Sequence, residues 1–538
     1  MTRDAVAVIF AETFHMSSVV SDDIWDLIGG SLRNHGGQIA WIRRLPAGRH
    51  EVRRCDELYR AALDLAARLR VRGVGRGDVV GIMAPNGAEW GTAALAVWKL
   101  GAIVAPIHIG NSPADIEAQV RALAPRVVLV HDAEHQLAQT CPIELGSDPA
   151  RVRDEEAVPA NGLSVEEAAR IYTSGSTGNP KIVCLSHRNI SSNFRAAANI
   201  IHIGPDDRFL SLLPLSHALE MTCGMLLPLY CGATIVVPRV LAASEIIRAM
   251  AEENISIIIA VPRLFRNLML GLEKRMAEAG PLMRAYVRLL RRTPLTLRRM
   301  LNLPVRRRFG GRIKAWVSGG SRLDPEISRY FQGLGLPLRQ GYGLTETGPV
   351  VSIQEEFPRR ADSVGKPLEG VEVRVENPDP TGSGELWVRG PNVMLGYLDA
   401  AQTREVIEDG WFRTGDLARL EADGLITLTG RAKRLIVTEA GKNVYPEELE
   451  SLLERFGAVK EAGVLELDER PAVVLAMDAP DPEKAAREVL GAFNAQVSAH
   501  NRITRFAVVD ELPRTPLGKI ALKMLPEIFR DHEVTRTS

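Results

Sequence analysis

Three observations predict an α/β chain with a large N-terminal domain of layered parallel subdomains and a small β-barrel, to which a small α+β C-terminal domain is joined. From Asp78 to Val130, short apolar runs alternate with helical patterns. The same alternation returns at TIVVP, SIIIAVP and IKAWVSGG. From about Ser363 to Tyr397 the chain becomes Gly- and Pro-punctuated, with short runs that alternate apolar and polar residues.

Taken in order, VVGIM reads as a buried strand, Ala88 to Lys99 as a helix and AIVAPI as a strand. Pro113 to Leu123 follows as a second helix, and RVVLV as a third strand. Apolar strands joined by helices require a parallel sheet covered on both faces. VEVRVE and GELWVRG alternate with period two, which suits antiparallel strands or a small barrel. Beyond Gly430 a charged stretch, RAKRL, precedes a compact αβ unit ending near Leu525. The expected domains are therefore 1–430 and 431–538, with the boundary at Arg431 to Lys433.

The chain has 538 residues, 46% hydrophobic, 25% charged and 5% aromatic, with 66 Lys and Arg balancing 66 Asp and Glu. That length exceeds one compact core and supplies enough apolar residues for two or more domains. A neutral total speaks against bulk attraction to nucleic acid. The five cysteines, Cys55, Cys141, Cys184, Cys223 and Cys231, lack the paired spacing of a zinc site or disulfide framework, so a cytoplasmic setting is expected. Glu12 interrupts the apolar stretch near the N-terminus, and no signal peptide is expected. The uncharged stretch from Met221 to Pro238 contains Pro228 and Gly232; it reads as buried helix, turn and strand rather than a membrane span.

The chemistry begins at IYTSGSTGNPKIVCLSHRNI, Ile171 to Ile190. Two strands, ending near Thr173 and beginning near Lys181, flank a loop holding Ser174, Gly175, Ser176, Thr177 and Gly178. Such a loop can bring backbone N–H groups and hydroxyls around phosphate oxygens. Alone, it is equally consistent with an ordinary Gly/Ser turn. Its spacing fails the Walker pattern, because Ile182 follows Lys181, which disfavours an ordinary kinase.

The loop is followed by GYGLTETG at Gly341 to Gly348 and WFRTGDLARLEADGLITLTGRAK at Trp411 to Lys433. GKNVYPEELE at Gly441 to Glu450 and PRTPLGKI at Pro513 to Ile520 complete the series. In this order and spacing the five segments resemble the adenylate-forming superfamily of acyl- and aryl-CoA synthetases, nonribosomal-peptide adenylation domains and luciferases. The resemblance implies attack of a carboxylate on the α-phosphate of ATP, with Mg2+ near Thr173 and Glu346 and the loop with Lys181 around the β- and γ-phosphates. It also implies that Tyr342, between Gly341 and Gly343, stacks on adenine and that Thr345 touches the α-phosphate. Asp416 would accept from the ribose hydroxyls, and Arg431 would reach ribose and phosphate. Gly319, Gly320 and Ser321 would lie beside adenine and the acyl chain. Lys519 would bridge carboxylate and α-phosphate in the first step.

For the second step, relatives rotate the small domain about one residue, and Lys433 matches that hinge. The rotation would bring Gly441 and Lys442 to the site, where a glycine lets backbone pass close to the pantetheine arm of coenzyme A. LPLSHALE and AVPRLF resemble medium- to long-chain fatty acyl-CoA synthetases, which would place His217 and Gly343 at the acyl pocket. Ser321 and Arg322 depart from the usual GGAPL.

The expected partners are a carboxylic acid, here a fatty acid, and either coenzyme A or a phosphopantetheinyl carrier protein, the latter making the chain a free-standing carrier-loading ligase. A fatty-acid-binding or uptake component without catalysis is a third reading. From residue 279 to 323 no acid occurs among many arginines, and Leu282, Met283, Tyr286, Val287 and Leu290 fall on one helical face. Residues 282–312 could therefore rest on the inner membrane surface, although a solvated surface helix is the simpler alternative.

Overall fold

The computed structural model describes residues 21–131, 142–144, 167–173 and 181–534, apart from 279, 281–284, 287, 291–292, 295–297, 299–300, 359, 439–441 and 515–519. Two large sheets form the body of the molecule. In the first, strands Leu338–Tyr342, Ala315–Ser318, Ile257–Ala260, Arg208–Leu210, Thr234–Val237 and Ile39–Arg44 run parallel in that spatial order. Antiparallel strands flank them and complete nine. The second sheet has seven strands, with Glu167–Thr173, Ile103–Pro106, Val79–Met83, Val127–Val130 and Pro142–Glu144 parallel. Lys181–Ser186 and Gly396–Tyr397 extend it antiparallel.

The period-two alternation of a strand decides how these sheets are layered. Ile257 and Ile259 face the core shared with the seven-stranded sheet, whereas Ile258 faces a second core with Trp316 and Phe331. Helices Ile24–Asn34, Cys55–Val71, Ala88–Lys99 and His187–Ile201 contribute to the shared core around Trp41, Trp90, Trp98 and Phe194. A buried tryptophan removes about 150–250 Å² from water, worth roughly 4–6 kcal/mol. Gly91 is required at this layer, since a Cβ there would stand 2.9 Å from the Trp41 ring. The outer face of the seven-stranded sheet is covered by helix Pro113–Leu123, which starts on the Ser112 cap with Pro113 in its first turn.

The expected β-α-β run is present with both helices at the bounds read from the sequence. The antiparallel unit extends further than Tyr397. Strands Glu372–Glu376, Gly384–Arg389, Ile407–Glu408, Trp411–Leu420 and Ile426–Arg431 form one five-stranded antiparallel sheet. Among the described residues its pairing does not close into a full barrel. Ile407–Glu408 and Ile426–Arg431 instead share Trp411–Leu420, one pairing near its start and the other along its second half.

The small C-terminal domain has its own cores, built on strands Val459–Leu467, Arg470–Met477 and Phe506–Val509 with helices Pro446–Leu453, Pro482–Asn494 and Leu525–His532. The Met221–Pro238 stretch is buried as a π-helical turn, Glu220–Leu226, a short helix, Leu227–Tyr230, and strand Thr234–Val237. Among the described residues no helix is long and apolar enough to cross a membrane. In the basic segment, Leu290 is fully buried and Arg298 donates to the carbonyls of Leu290, Thr293 and Gln332, so these two side chains brace the fold rather than face outward. Leu282, Met283 and Val287 lie outside the described residues.

Candidate active site

Open parallel sheets gather their ligands beyond the carboxyl ends of the strands, and at such ends stand Thr173, Gly319, Gly320 and Tyr342. Thr173 and Lys181 are cross-strand partners, and the Thr173 hydroxyl donates to the Lys181 carbonyl at 3.2 Å. Ser174, Gly175, Ser176, Thr177 and Gly178 lie outside the described residues. The Lys181 ammonium stands 4.2 Å from the centre of the Tyr397 ring, a cation–π contact. The Tyr397 hydroxyl donates to Glu346 Oε1 at 2.8 Å. Burial and the Glu346 carboxylate push the Tyr397 pKa far up, so this phenol remains a donor at every working pH. Thr173, Lys181, Tyr397 and Glu346 thus form one connected group.

Glu346 is held from the main chain as well. Strand Leu338–Tyr342 delivers Gly341 and Tyr342 to the site, and the chain then turns sharply through Gly343. A Cβ on Gly343 would lie 2.0 Å from the Pro349 carbonyl oxygen, so only glycine fits. The turn Thr345–Thr347 follows, with Gly348 at φ +62° against the Asn189 carbonyl. Asn193 and Asn392 both donate to the Thr347 carbonyl, at 3.2 and 3.3 Å, while Met394 N–H donates to the Glu346 carbonyl at 2.9 Å. Thr345 and Glu346 are thereby presented at a half-buried rim.

Tyr342 is 8% exposed and backed by Val351, Leu386, Val388 and Ile426. Its hydroxyl donates to Asp416 Oδ2 at 2.7 Å, and Arg431 Nε pairs with Asp416 Oδ1 at 2.7 Å. Asp416 and Arg431 are register partners on adjacent antiparallel strands, which fixes this contact. Burial pushes the Asp416 pKa up, opposed by Arg431 and the Tyr342 hydroxyl. Each carboxylate oxygen keeps a lone pair for a further donor.

Gly319, Gly320 and Ser321 follow the end of strand Ala315–Ser318. Gly319 N–H donates to the Ala260 carbonyl at 3.0 Å, and its Cβ position lies 3.1 Å from Leu219. Gly320, at φ +81°, lies 3.7 Å by the same measure from Val261. The SGGS turn therefore meets the segment that carries His217. Asn86 pins that segment, donating to Ser211 and the Leu213 carbonyl and accepting from Leu215 N–H. The His217 ring lies 5.7 Å from the His108 ring, and burial lowers the His108 pKa, which keeps it neutral at pH 7. Beneath them Glu220 is fully buried; burial raises its pKa to about 8 despite a 2.7 Å hydrogen bond from Ser211.

Lys433 is exposed on the turn Ala432–Arg434. On one side Arg431 is tied to Asp416; on the other, Arg434 pairs with Glu447 and Glu450 of the small domain at 2.9 and 2.6 Å. The small domain is docked through Arg266–Glu454 at 3.0 Å and through Tyr445, whose hydroxyl donates to Asp379 at 2.9 Å. Lys442 is exposed on a hairpin anchored to the same aspartate by Asn443, and no hydrogen bond or ion pair among the described residues links it to Glu346 or Asp416. Gly441 and Lys519 lie outside the described residues; near Lys519, Arg514 bridges Ile520 and pairs with Glu461.

The sequence reading missed Tyr397, Asn193, Asn392 and the Asp379–Tyr445 contact. A Gly-Tyr dipeptide and isolated asparagines carry no local pattern that would reveal partners far along the chain.

The AMP-binding enzyme family matches residues 32–398. A long-chain-fatty-acid–CoA ligase of Mycobacterium bovis is 29% identical over 459 residues, 76% of this chain and 74% of its own. Indoleacetate–CoA ligase of Aromatoleum aromaticum is 29% identical over 493 residues, 85% of this chain and 89% of its own. Among solved structures, O-succinylbenzoate coenzyme A synthetase of Bacillus subtilis in complex with AMP has a TM-score of 0.78 at 24% identity, covering 93% of this chain and 98% of that one. ATP-bound MatB of Rhodopseudomonas palustris has a TM-score of 0.78 at 23% identity, covering 95% and 99%. With more than half of its length matched, the chain belongs to the AMP-binding enzyme family.

Proposed function

We propose that the chain is an ATP-dependent, AMP-forming acid–thiol ligase whose acid is a medium- to long-chain fatty acid and whose acceptor is coenzyme A. The observation that carries this reading is the grouping of Lys181 and Tyr397 with Glu346, and of Asp416 and Arg431 with Tyr342, at the end of one parallel strand and the turn that follows it.

In the first half-reaction a carboxylate oxygen bonds to the α-phosphorus of ATP while the bond to pyrophosphate breaks. Negative groups approach one another, and Lys181 and Arg431 offset that charge. Lys519 is assigned the same task at the carboxylate, and Thr345 at the α-phosphate. Asp416 accepts from the ribose diol with the lone pairs that Tyr342 and Arg431 leave free. The Thr173 hydroxyl and Glu346 carboxylate are hard oxygen donors and fit Mg2+, which when bound would neutralise phosphate charge. Tyr397 sets the orientation of that carboxylate through its hydroxyl and of Lys181 through its ring.

In the second half-reaction the thiol sulfur bonds to the acyl carbon, and AMP departs with one former carboxylate oxygen. Lys442 must travel for this step. The place where the chain would turn is Lys433, between an arginine tied to the large domain and one tied to the small. Rotation would break the part-buried contacts Arg266–Glu454 and Tyr445–Asp379.

An aliphatic acid is supported by Leu219 and Val261 beside Gly319 and Gly320. The relative from Mycobacterium bovis is named for such a substrate. The neighbouring rings of His108 and His217, tilted by 37°, offer aromatic surface to a second reading, an aryl acid, and the relative from Aromatoleum aromaticum is named for one. A pyrophosphate-release screen over straight, hydroxylated and aryl acids, with coenzyme A or a holo carrier protein as acceptor, separates these readings. Release with straight-chain acids and formation of acyl-CoA is expected. Turnover of aryl acids alone would transfer the assignment to the second reading, and release without acyl-CoA would replace the acceptor.

A further inference from the structure

The arginine-rich segment, which the ligase reaction leaves unused, borders a cavity of about 440 Å³ on the opposite edge of the nine-stranded sheet. Asp207, Ser256 and Lys314 lie just before strands Arg208–Leu210, Ile257–Ala260 and Ala315–Ser318, so the cavity opens at their amino ends. Gly319, Gly320 and Gly343 follow the carboxyl ends. Arg339, on strand Leu338–Tyr342, lines the cavity three residues before Tyr342, roughly 10 Å along the strand.

The lining brings Arg306, Arg312, Lys314 and Arg339 together with only Asp207 and Glu356 as acids. Asp207 is already committed. Its Oδ2 accepts from Lys314 Nζ at 2.7 Å and from Gly204 N–H at 3.0 Å, and its Oδ1 accepts from Ser256 at 2.9 Å. Arg306 also donates to the Ile313 carbonyl at 2.8 Å. Four cationic side chains against two acids thus line a concave, solvent-open space, an arrangement that an anion relieves.

The cationic groups are also fixed in place. Phe309 is buried edge-on against Trp316, with ring centres 5.2 Å apart. Gly310, at φ +85°, lies where a Cβ would stand 2.4 Å from the Met250 carbonyl. This pinned turn holds Arg306 and Arg312 on its two sides, while Lys314 is tied to Asp207 and Arg339 is set by sheet register. Planar guanidinium groups arranged around a concavity match the oxygens of a phosphate.

We propose that this cavity is a binding site for a phosphate group, carried by a soluble phosphorylated metabolite or by a lipid headgroup. It is separate from the ligase centre. Fructose 1,6-bisphosphate serves as the soluble probe because it is neither substrate nor product of the proposed reaction. Calorimetric titration of the full chain, with AMP held at saturation, is expected to show saturable binding of one equivalent that weakens with salt. The double variant Arg306→Ala/Arg312→Ala should weaken it by about tenfold or more, and Arg312→Lys by only a few-fold. Flotation with vesicles of 30% phosphatidylglycerol in phosphatidylcholine forms the second arm. Vesicle binding lost in the double variant, without binding of the bisphosphate, assigns the phosphate to a lipid. Arg312→Glu, at an exposed position, keeps the test interpretable if the double variant melts early. Absence of saturable binding in both arms, or binding by the folded variants equal to the parent protein, would overturn the proposal.

Discussion

Replacing Tyr397 with phenylalanine removes one oxygen and leaves the ring on which Lys181 rests. The lost group is the donor to Glu346 Oε1 at 2.8 Å, in a residue only 8% exposed. A hydrogen bond to a charged group in such surroundings is worth about 1.5–3 kcal/mol, or roughly 10- to 100-fold in an equilibrium constant. The affected equilibrium is the one in which Glu346, in the role proposed for it, serves as an oxygen donor to Mg2+. The Mg2+ concentration for half-maximal ATP–pyrophosphate exchange should therefore rise by about 10- to 100-fold, with the maximal rate largely recovered at saturation. Tyr397→Leu also removes the cation–π contact, worth about 0.5–2 kcal/mol, and should raise the KM for ATP a further few-fold. Melting curves check that both variants fold. An unchanged Mg2+ dependence in Tyr397→Phe, or a loss of rate that no Mg2+ concentration restores, would refute the assigned role.

Glu220 carries a pH expectation whose sign is fixed by its raised pKa. Its contribution is fully present below the ordinary glutamate value of about 4.3 and is lost as pH rises through about 8, up to roughly 5 kcal/mol in all. Urea midpoints should fall between about pH 5 and 8 in the parent protein, and less steeply in Glu220→Gln, where Glu454, raised to about 7, still titrates; parallel profiles would contradict this. Gly343→Ala sets a Cβ against the Pro349 carbonyl oxygen and should cost more than about 2 kcal/mol or abolish exchange, whereas wild-type stability and kinetics would mean that the turn is looser than described. Lys519→Ala should suppress adenylation far more than thioester formation from supplied acyl-adenylate, and equal loss in both half-reactions would remove its assignment.

The parallel core was readable because four-residue apolar runs separated by helical patterns have few other solutions. Helix Pro113–Leu123 was bounded correctly because Ser112 and Pro113 mark its start. Where contacts join distant segments, local pattern was silent. Strand Ile39–Arg44 enters the nine-stranded sheet beside Thr234–Val237, a pairing that no neighbouring residue announces. The π-helical turn Glu220–Leu226 is another case: the Glu220 carboxyl occupies the space that a Cβ on Gly224 would need, 2.4 Å away. Of the motif residues, Thr173, Lys181 and Glu346 are grouped through Tyr397, and Tyr342, Asp416 and Arg431 through one another. What joins the first three was not legible in the sequence, because Tyr397 acts through a hydroxyl and a ring whose partners lie on two other segments.

The central claim is that a carboxylate oxygen attacks the α-phosphorus of ATP. Its most direct test is turnover of an acid labelled with 18O in both carboxylate oxygens, followed by mass spectrometry of the nucleotide. AMP carrying one 18O atom, with unlabelled pyrophosphate, is the expected result. Unlabelled AMP, label in inorganic phosphate, or ADP in place of AMP would contradict it.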